Sequence, residues 1–532
     1  MRKIAKINTL VITLFVTFMF SSCDGFLEQK DTSSINEGSL FLKKDDGYSL
    51  VTGVYSTFHF NIEYMLKGIW FTANFPSQDF HNAGSDTFWN TYEIPTDFEA
   101  LNIFWSGNYI GISRANAAIP ILKDMINRGV FTEAEGNRLI GECYFLRGIF
   151  YYYLAVDFGG VPLELEVVKD NGLHPRNTQD EVFEVVNNDM QTAFELLPWK
   201  AEQSLSDRGR ATKEAALAYK GDALMWLKKY SDAISVFDQL EGKCQLEDTY
   251  LNIHETVNRN GKESIFEVQF TEYGSMGWGQ FGVNNQWISS FCMPKPISDF
   301  AYAYGDKKLY DSFQVGDQRK LATIIGPGDE HPSPLINFKD YPRLKSYAIN
   351  GGAGLPASYY QDENGDPINT CGTIDRPWVA DGSGYFCVKY WRNPEVCGTR
   401  GQNWFLSPDN IMMMRYAQVL LSKAECLYRI GNSNGAMNLV QQIRNRAFGK
   451  TIDPSINVPT PVESDVMKII LDEYRHELAG ECSLWFLLRR SGEHFQFIKD
   501  KHGIAIPAGK DLMPIPQTQI GLNQTLVQNP GY

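Results

Sequence analysis

Between residues 132 and 158 the apolar side chains Leu139, Cys143, Leu146, Phe150, Tyr153 and Leu154 recur at steps of three and four. That spacing lines one face of an α-helix roughly seven turns long. A face of that length must be buried against another element, so the chain needs helix-on-helix packing. Gly159-Gly160 followed by Val161-Pro162 stops the helix. The theme then returns. Residues 179–197 carry Val182, Val186, Met190, Ala193 and Leu197 at helical steps, with Pro198 as the stop. Thr212 is an N-cap for a helix reaching about residue 229, with Ala215, Ala216, Ala223 and Trp226 inward. A shorter partner covers 231–240. Pro408 and Asp409 open a helix running through Ile430 and ended by Gly431, 435–447 pairs with it, and 464–490 holds one or two more.

Short loops join these helices, which makes sequential neighbours antiparallel. Small residues fall where backbones must approach, at Ala115, Ala117, Ala118, Ala215, Ala216, Ala417 and Ala424. The arrangement predicted is about four irregular helix pairs of the tetratricopeptide type, although a ~34-residue period is not clean. Residues 59–104 and 242–407 read differently, with Gly, Pro and many aromatics and few periodic runs. Within them 265–270 alternates as a short strand. The fold expected is therefore mainly α. An irregular tetratricopeptide-like helix-pair scaffold covers about 105–240 and 408–490, and long aromatic-rich loops and a few short strands fill the rest. Long loops on a rigid frame usually carry function, so the two loop-rich portions are the expected ligand-binding parts.

The first residues are an address. Arg2, Lys3 and Lys6 precede an apolar run from about Leu10 to Phe20, and Ser21-Ser22-Cys23 follows. This is an export signal, and small residues ending in Cys resemble a bacterial lipoprotein signal. Residues 1–22 would be removed and Cys23 acylated, leaving 23–532 as a single unit. No later apolar run is long enough to span a bilayer. The net charge of −14, with no block of Lys or Arg, excludes nucleic acid as a partner. Of the remaining cysteines, Cys143, Cys426 and Cys482 fall in helical patterns and read as small buried apolar residues, whereas Cys371, Cys387 and Cys397 lie in a Gly/Pro-rich stretch where a bridge is easier to build. With no CxxC pair and eight histidines, no zinc site is expected. Asp362-Glu363-Asn364-Gly365-Asp366 alternates oxygen donors as a calcium loop does, but Pro367 stands at the sixth position, so a solvated turn is expected. No cofactor is called for.

Several stretches, in this order, resemble the SusD/RagB family of bacterial outer-membrane nutrient-binding lipoproteins. They begin with Cys23-Asp24-Gly25-Phe26-Leu27 and with Trp105, Tyr109, Ile112, Arg114, Ala115 and Asn116. Gly141-Glu142-Cys143-Tyr144-Phe145-Leu146-Arg147 and Phe158-Gly159-Gly160-Val161-Pro162-Leu163 are the most specific. Gly209-Arg210-Ala211-Thr212-Lys213-Glu214, Gly261-Lys262-Glu263-Ser264-Ile265-Phe266, Arg415-Tyr416-Ala417 and Ile443-Arg444-Asn445-Arg446-Ala447 follow, and Gln528-Asn529-Pro530-Gly531-Tyr532 closes the chain. These motifs are mostly scaffold. Arg147 inside an apolar helix needs a partner. Glu473, Glu477 and Glu481 lie on one helix face. They read either as a glycosidase carboxylate couple or, more simply, as a structural network with Arg475, Arg489 or other basic residues.

The resemblance implies a non-catalytic protein of the outer membrane, lipid-anchored and facing outward, that captures glycan and delivers it to a TonB-dependent SusC-like transporter. It implies that binding aromatics come from two loops, here 79–92 and 273–287. The expected ligand contacts are Asp79, Trp89 and Asn90 in the first and Tyr273, Trp278 and Trp287 in the second. Indole faces cover the C–H faces of a sugar, and Asp and Asn meet its hydroxyls. Trp70, Trp105, Trp226 and Trp485 belong to the core. Two other readings stay open: an all-helical glycoside hydrolase or lyase on the same membrane, and a peptide-binding RagB-like protein. No Gly-x-Ser-x-Gly or His-Glu-x-x-His motif supports the enzyme.

Overall fold

The computed structural model describes residues 41–59, 62–84, 86–270, 288–298, 301–352, 354–378, 384–391 and 409–532. Cys23, Tyr273, Trp278, Trp287, Cys397 and Pro408 lie outside the described residues. Helices of eight residues or more are α1 (Lys44–Tyr55), α2 (Ile62–Asn74), α3 (Glu99–Asn127), α4 (Glu133–Phe158), α5 (Gln179–Leu196), α6 (Lys213–Trp226), α7 (Tyr230–Asp238), α8 (Pro342–Asn350), α9 (Tyr416–Arg429), α10 (Ser433–Ala447), α11 (Val466–Leu478), α12 (Leu484–Ser491) and α13 (His494–His502). The fold is mainly helical, as expected. Consecutive helices α3 to α7 pack on their neighbours, as does α9 on α10.

Local chemistry fixes the helix starts. Thr132 and Thr178 each accept a hydrogen bond from the N–H three residues on, and Glu135 and Glu181 return one to the cap. These are capping boxes, each satisfying two otherwise orphaned donors. Thr212 caps α6 through Ala215 N, as the sequence predicts. Gly159 ends α4 at φ +75°, and a Cβ on Gly160 would sit 2.0 Å from Asn177 O. The α4–α5 corner therefore depends on glycine at a point of close backbone approach.

Helix α4 is more deeply placed than its single apolar face suggests. From Leu139 to Phe158 only Tyr144 is less than fully buried, because α1, α3 and α5 pack around it. Each large apolar side chain it buries contributes roughly 1.5–3 kcal/mol. The polar residues carried inward have partners. Arg147 donates to Asp189 through Nε (2.8 Å) and Nη2 (2.7 Å), and to Asn116 Oδ1 and Leu165 O through Nη1 (2.8 Å each). The C-terminal motif locks onto the same post, since Asn529 Nδ2 donates to Phe158 O (3.0 Å) and Met513 O (2.7 Å).

Three expectations need correction. Residues 411–415 are a strand, not the start of a helix: Ile411–Arg415 pairs antiparallel with Ser264–Val268, and α9 begins only at Tyr416. The scaffold also starts earlier than residue 105. Helices α1 and α2 precede it, and α3 opens at Glu99. Cys371 and Cys387 are unbridged and lie in different hydrophobic clusters. Cys143, Cys426 and Cys482 are buried free thiols, as expected.

The described strands form three two-stranded antiparallel sheets: β1 (Phe80–Asn82) with β3 (Ala303–Gly305), β2 (Ser264–Val268) with β6 (Ile411–Arg415), and β4 (Ile324–Ile325) with β5 (Phe386–Cys387). The main core runs through the helices. A second cluster built on Met293, Phe338, Tyr341, Leu344, Trp378 and Trp391 gives the loop-rich portion a core of its own. The 362–366 stretch is a turn in which Asp362 Oδ1 accepts from Asn364 N (2.8 Å) and Asp366 N (3.0 Å).

Candidate functional site

Strand alternation builds a polar ridge at the β1–β3 pair. Phe80 and Asn82 point inward, while His81 points out, opposite Tyr304 in the register, with the two rings 5.5 Å apart. His81 is held from both sides. Its Nε2 lies 2.9 Å from Asp306 Oδ2 and its Nδ1 3.3 Å from Asn90 Oδ1. Asp306 also accepts from Lys308 N (2.6 Å), capping the short helix Lys307–Ser312. Burial works against the Asp306 charge, but His81 and the Lys308 N–H outweigh it and hold the carboxyl below its ordinary range. Beside this group Tyr310 and Tyr385 stand 4.9 Å apart, and Lys320 Nζ lies 3.6 Å from the Tyr310 ring. Gly305 N donates to Tyr385 O (2.8 Å), joining the ridge to β5. The result is a row of half-buried tyrosines flanked by hydrogen-bonding side chains. Such a surface suits a ligand with apolar faces and many hydroxyls.

The three carboxylates are elsewhere and differently employed, and they do not share one helix face as expected, because α11 ends at Leu478 and Glu481 lies in the turn after it. Glu473 bonds Arg319 (2.7 Å) and Arg444 (2.5 Å). Glu477 bonds Arg415 (2.6 Å), Arg319 (3.2 Å) and Arg446. Glu481 bonds Arg415 (2.8 Å) and Lys389 (2.7 Å). Glu263 and Asp317 complete the layer against Arg415, Arg446 and Arg319. Burial opposes the Glu477 charge, yet Arg446, Arg415 and Arg319 outweigh it and hold its pKa at about 2. Glu481 is held low for the same reason by Arg415 and Lys389. Neither has a proton to give at neutral pH, so the trio is a structural network, with other arginines than Arg475 and Arg489 as its principal partners.

A cleft of about 110 Å³ opens beside this layer, with Val257, His331, Leu335, Ile336 and Trp391 in its wall. Burial pushes His331 down to about 4, so its imidazole is neutral.

A profile of the SusD family matches residues 246–532, more than half of the chain. The chain belongs to the SusD family. A second profile, described as starch-binding associating with outer membrane, matches residues 26–221. SusD-like protein P2 of Formosa agariphila is 24% identical over 471 residues, covering 83% of this chain and 83% of the relative. A laminarin binding SusD-like protein superposes with a TM-score of 0.71 at 23% identity, over 92% of this chain and all of that one. Surface glycan-binding protein A from Bacteroides thetaiotaomicron, solved in complex with laminarihexaose, superposes at 0.66 with 19% identity, over 92% of this chain and 99% of that one. At these identities the solved structures establish the shared SusD fold.

Within this SusD fold the three expected contact residues that are described, Asp79, Trp89 and Asn90, have different surroundings. Asp79 is fully buried and paired with Arg475, whose Nη2 lies 2.6 Å from Oδ1, and His502 Nε2 is 3.3 Å from the same oxygen. Trp89 is 1% exposed, inside a nest of Phe71, Phe75, Phe88 and Phe98. Neither side chain presents a face to a ligand. Asn90 alone of the three residues expected from the first loop reaches the ridge. Tyr273, Trp278 and Trp287 fall outside the described residues. His81, Tyr304, Asp306, Tyr310 and Tyr385 escaped the sequence reading, because a three-residue strand has no readable period and its partner lies more than two hundred residues away. The one local signal was Asp306 at the start of a short helix. Of the tryptophans assigned to the core, Trp70, Trp105 and Trp485 are buried and Trp226 is half-buried.

Proposed function

We propose that this protein binds a neutral oligosaccharide at the cell surface without altering it, and hands it to a TonB-dependent SusC-like transporter. Acyl chains on Cys23 tether it to the outer membrane, facing outward. The observation that carries this reading is the ridge on β1 and β3, where half-buried tyrosines stand among Asn90, His81 and Asp306. Stacking faces and hydrogen-bonding groups are together there, and the carboxylates that would serve hydrolysis are consumed in a buried ion layer. Tyr273, Trp278 and Trp287 add the flat rings that cover a pyranose, and Asn90 meets a hydroxyl. The laminarin and laminarihexaose bound by two fold neighbours make β-glucan oligosaccharides the first ligands to try.

Calorimetric titration with laminarin oligosaccharides and with starch oligosaccharides tests the reading, with chromatography of the glycan afterwards. Saturable binding and unchanged glycan are expected. Trp278→Ala and Trp287→Ala should each weaken binding about fivefold or more, since a stacked aromatic contact contributes on the order of 1 kcal/mol. Affinity should barely respond to salt, because a neutral sugar offers no ion pair to screen. Cleaved glycan, preference for peptide, or normal binding by both Trp variants would overturn the site or the class. Recovery of a large β-barrel protein with this chain in mild detergent tests the transporter, and its repeated absence would remove that step.

A further inference from the structure

Two lysine ammoniums converge on one indole in the helical frame, outside both the ridge and the ion layer. Trp199 lies in the link between α5 and α6. The backbone there is fixed. Trp199 N donates to Glu202 Oε2 (2.9 Å), Glu202 N donates to Trp199 O (2.9 Å), and Lys213 N, opening α6, donates to Pro198 O (2.9 Å). Phe194, in the last turn of α5, meets the indole edge-on, with ring centroids 6.1 Å apart and planes at 78°. Lys213 Nζ serves both rings, 5.1 Å from Phe194 and 5.8 Å from Trp199. Lys243, from the turn after α7, brings its Nζ to 4.7 Å from Trp199. Phe194, Trp199 and Lys213 are half-buried and Lys243 is exposed. The charges set this cluster apart. The chain carries 63 acids against 49 bases, yet neither ammonium pairs with a carboxylate among the described residues. The acids beside them in sequence have other partners: Glu195 accepts from Gln191 Nε2 (2.7 Å), Glu202 from Trp199 N, Glu214 from Lys200 N (2.9 and 3.1 Å) and Glu241 from Lys423 Nζ (2.5 Å). Lys213 is also the first residue of α6, where the helix dipole favours an acid, so its ammonium does not serve the helix. An aromatic ring attracts one side of an ammonium and leaves its outward N–H groups free to donate.

We infer that Phe194, Trp199, Lys213 and Lys243 form a second ligand site, for an acidic saccharide: a sugar ring that carries a sulfate, phosphate or carboxylate. The anion takes the outward N–H groups of the two ammoniums, and the half-buried rings meet the C–H groups of the sugar. Both parts are needed. Two surface lysines by themselves hold an inorganic anion only through a charge attraction that salt screens. A neutral sugar, for its part, leaves both ammoniums unanswered. The site goes beyond the ridge, which takes a neutral glycan, and it shares none of the ridge's residues. Two sources offer this chemistry, an acidic glycan from the surroundings and the phosphorylated sugars of outer-membrane lipid head groups.

The test is calorimetric titration of the full chain in mild detergent with four probes: sulfated dextran oligosaccharides, galacturonate oligosaccharides, the phosphorylated core oligosaccharide cleaved from lipopolysaccharide, and neutral dextran oligosaccharides. Saturable binding of an acidic probe is expected, and none of neutral dextran. Binding of the sulfated or galacturonate probe assigns the site to glycans of the surroundings, and binding of the core oligosaccharide alone assigns it to the membrane's own sugars. Raising NaCl from about 20 to about 300 mM should weaken binding roughly tenfold. Lys213→Gln and Lys243→Gln should each weaken it about fivefold, and the double variant should bind no acidic probe, with unchanged melting temperatures because both side chains are at the surface. Lys213→Arg and Lys243→Arg keep the charge and the ring contact and should still bind. The Lys213→Gln, Lys243→Gln double variant should take laminarin oligosaccharides as the wild type does, so failure of the ridge and failure of this site are read separately. No binding of any acidic probe, undiminished binding by the double variant, or sodium sulfate alone binding as tightly as the sulfated oligosaccharide would overturn the inference.

Discussion

Replacing Asp79 separates two roles that a carboxylate in this loop can have. Asp79 is 0% exposed, and the Arg475 guanidinium grips it with Nε at 2.8 and 3.1 Å and Nη2 at 2.6 Å. Asp79→Asn keeps the shape and strands the Arg475 charge in the interior. Breaking one partner out of a buried pair costs about 3–5 kcal/mol. At about 2.1 cal/mol/K of unfolding entropy per residue, a chain of this size shifts its melting temperature by about 1 °C per kcal/mol, so a loss of ~3–5 °C is expected. Burial opposes the Asp79 charge, but Arg475 and His502 more than compensate and depress its pKa well below the usual carboxylate range. A depressed folded value means stability that is present above the unfolded carboxyl pKa of about 3.9 and is lost as pH falls through the folded value. The gap between wild type and variant should therefore be constant from about pH 5 to 8 and narrow below about pH 4. Scanning calorimetry across that range gives the stability, and titration of the folded variant with oligosaccharide gives the affinity, which should be unchanged. A variant that melts like wild type but binds poorly would refute the placement of Asp79 in the scaffold and return it to the ligand site.

Two further outcomes follow from burial. Trp89→Ala should cost about 3–5 kcal/mol of stability, measured by urea unfolding, because it empties a nest of four phenylalanines; affinity should hold, and an affinity loss at unchanged stability would place the ring on the surface. Burial pushes Asp157 up to about 8 despite Thr72 and Arg489, so between about pH 4 and 8 the folded chain keeps a proton the unfolded chain has released. That makes wild-type stability fall with rising pH in this window, and Asp157→Asn should gain on wild type between pH 5 and pH 8; parallel melting curves would show that the carboxyl is charged when folded.

The helical frame was readable because capping and periodicity are local. Thr132, Thr178 and Thr212 announce their helices within four residues, and Gly159 announces an end. Strand β6 was not readable because Ile411–Arg415 is buried or half-buried along its whole length and sets no alternation. The ridge was legible only at Asn90. Its other members are brought together by pairing His81 with Tyr304 across the chain, and no local signal encodes that pairing. Trp89 and Asp79 show the converse error. Their residue types fit a sugar site, but a tryptophan surrounded by phenylalanines in sequence and space, and an aspartate with a distant arginine, serve the interior equally well.

The buried ion layer also governs how this protein comes apart. Its five carboxylates (Glu263, Asp317, Glu473, Glu477 and Glu481) and five cations (Arg319, Lys389, Arg415, Arg444 and Arg446) come from segments scattered over the latter half of the chain. Arg319, Arg415 and Arg446 each answer two or more acids and Lys389 and Arg444 one each, so the ten groups form a single connected network. A partly folded chain lacking any one segment would hold bare charge in a dry interior, a state far less stable than either end point. The layer therefore acts as a latch on cooperativity. The segments that carry these ten groups should open as one unit in hydrogen exchange.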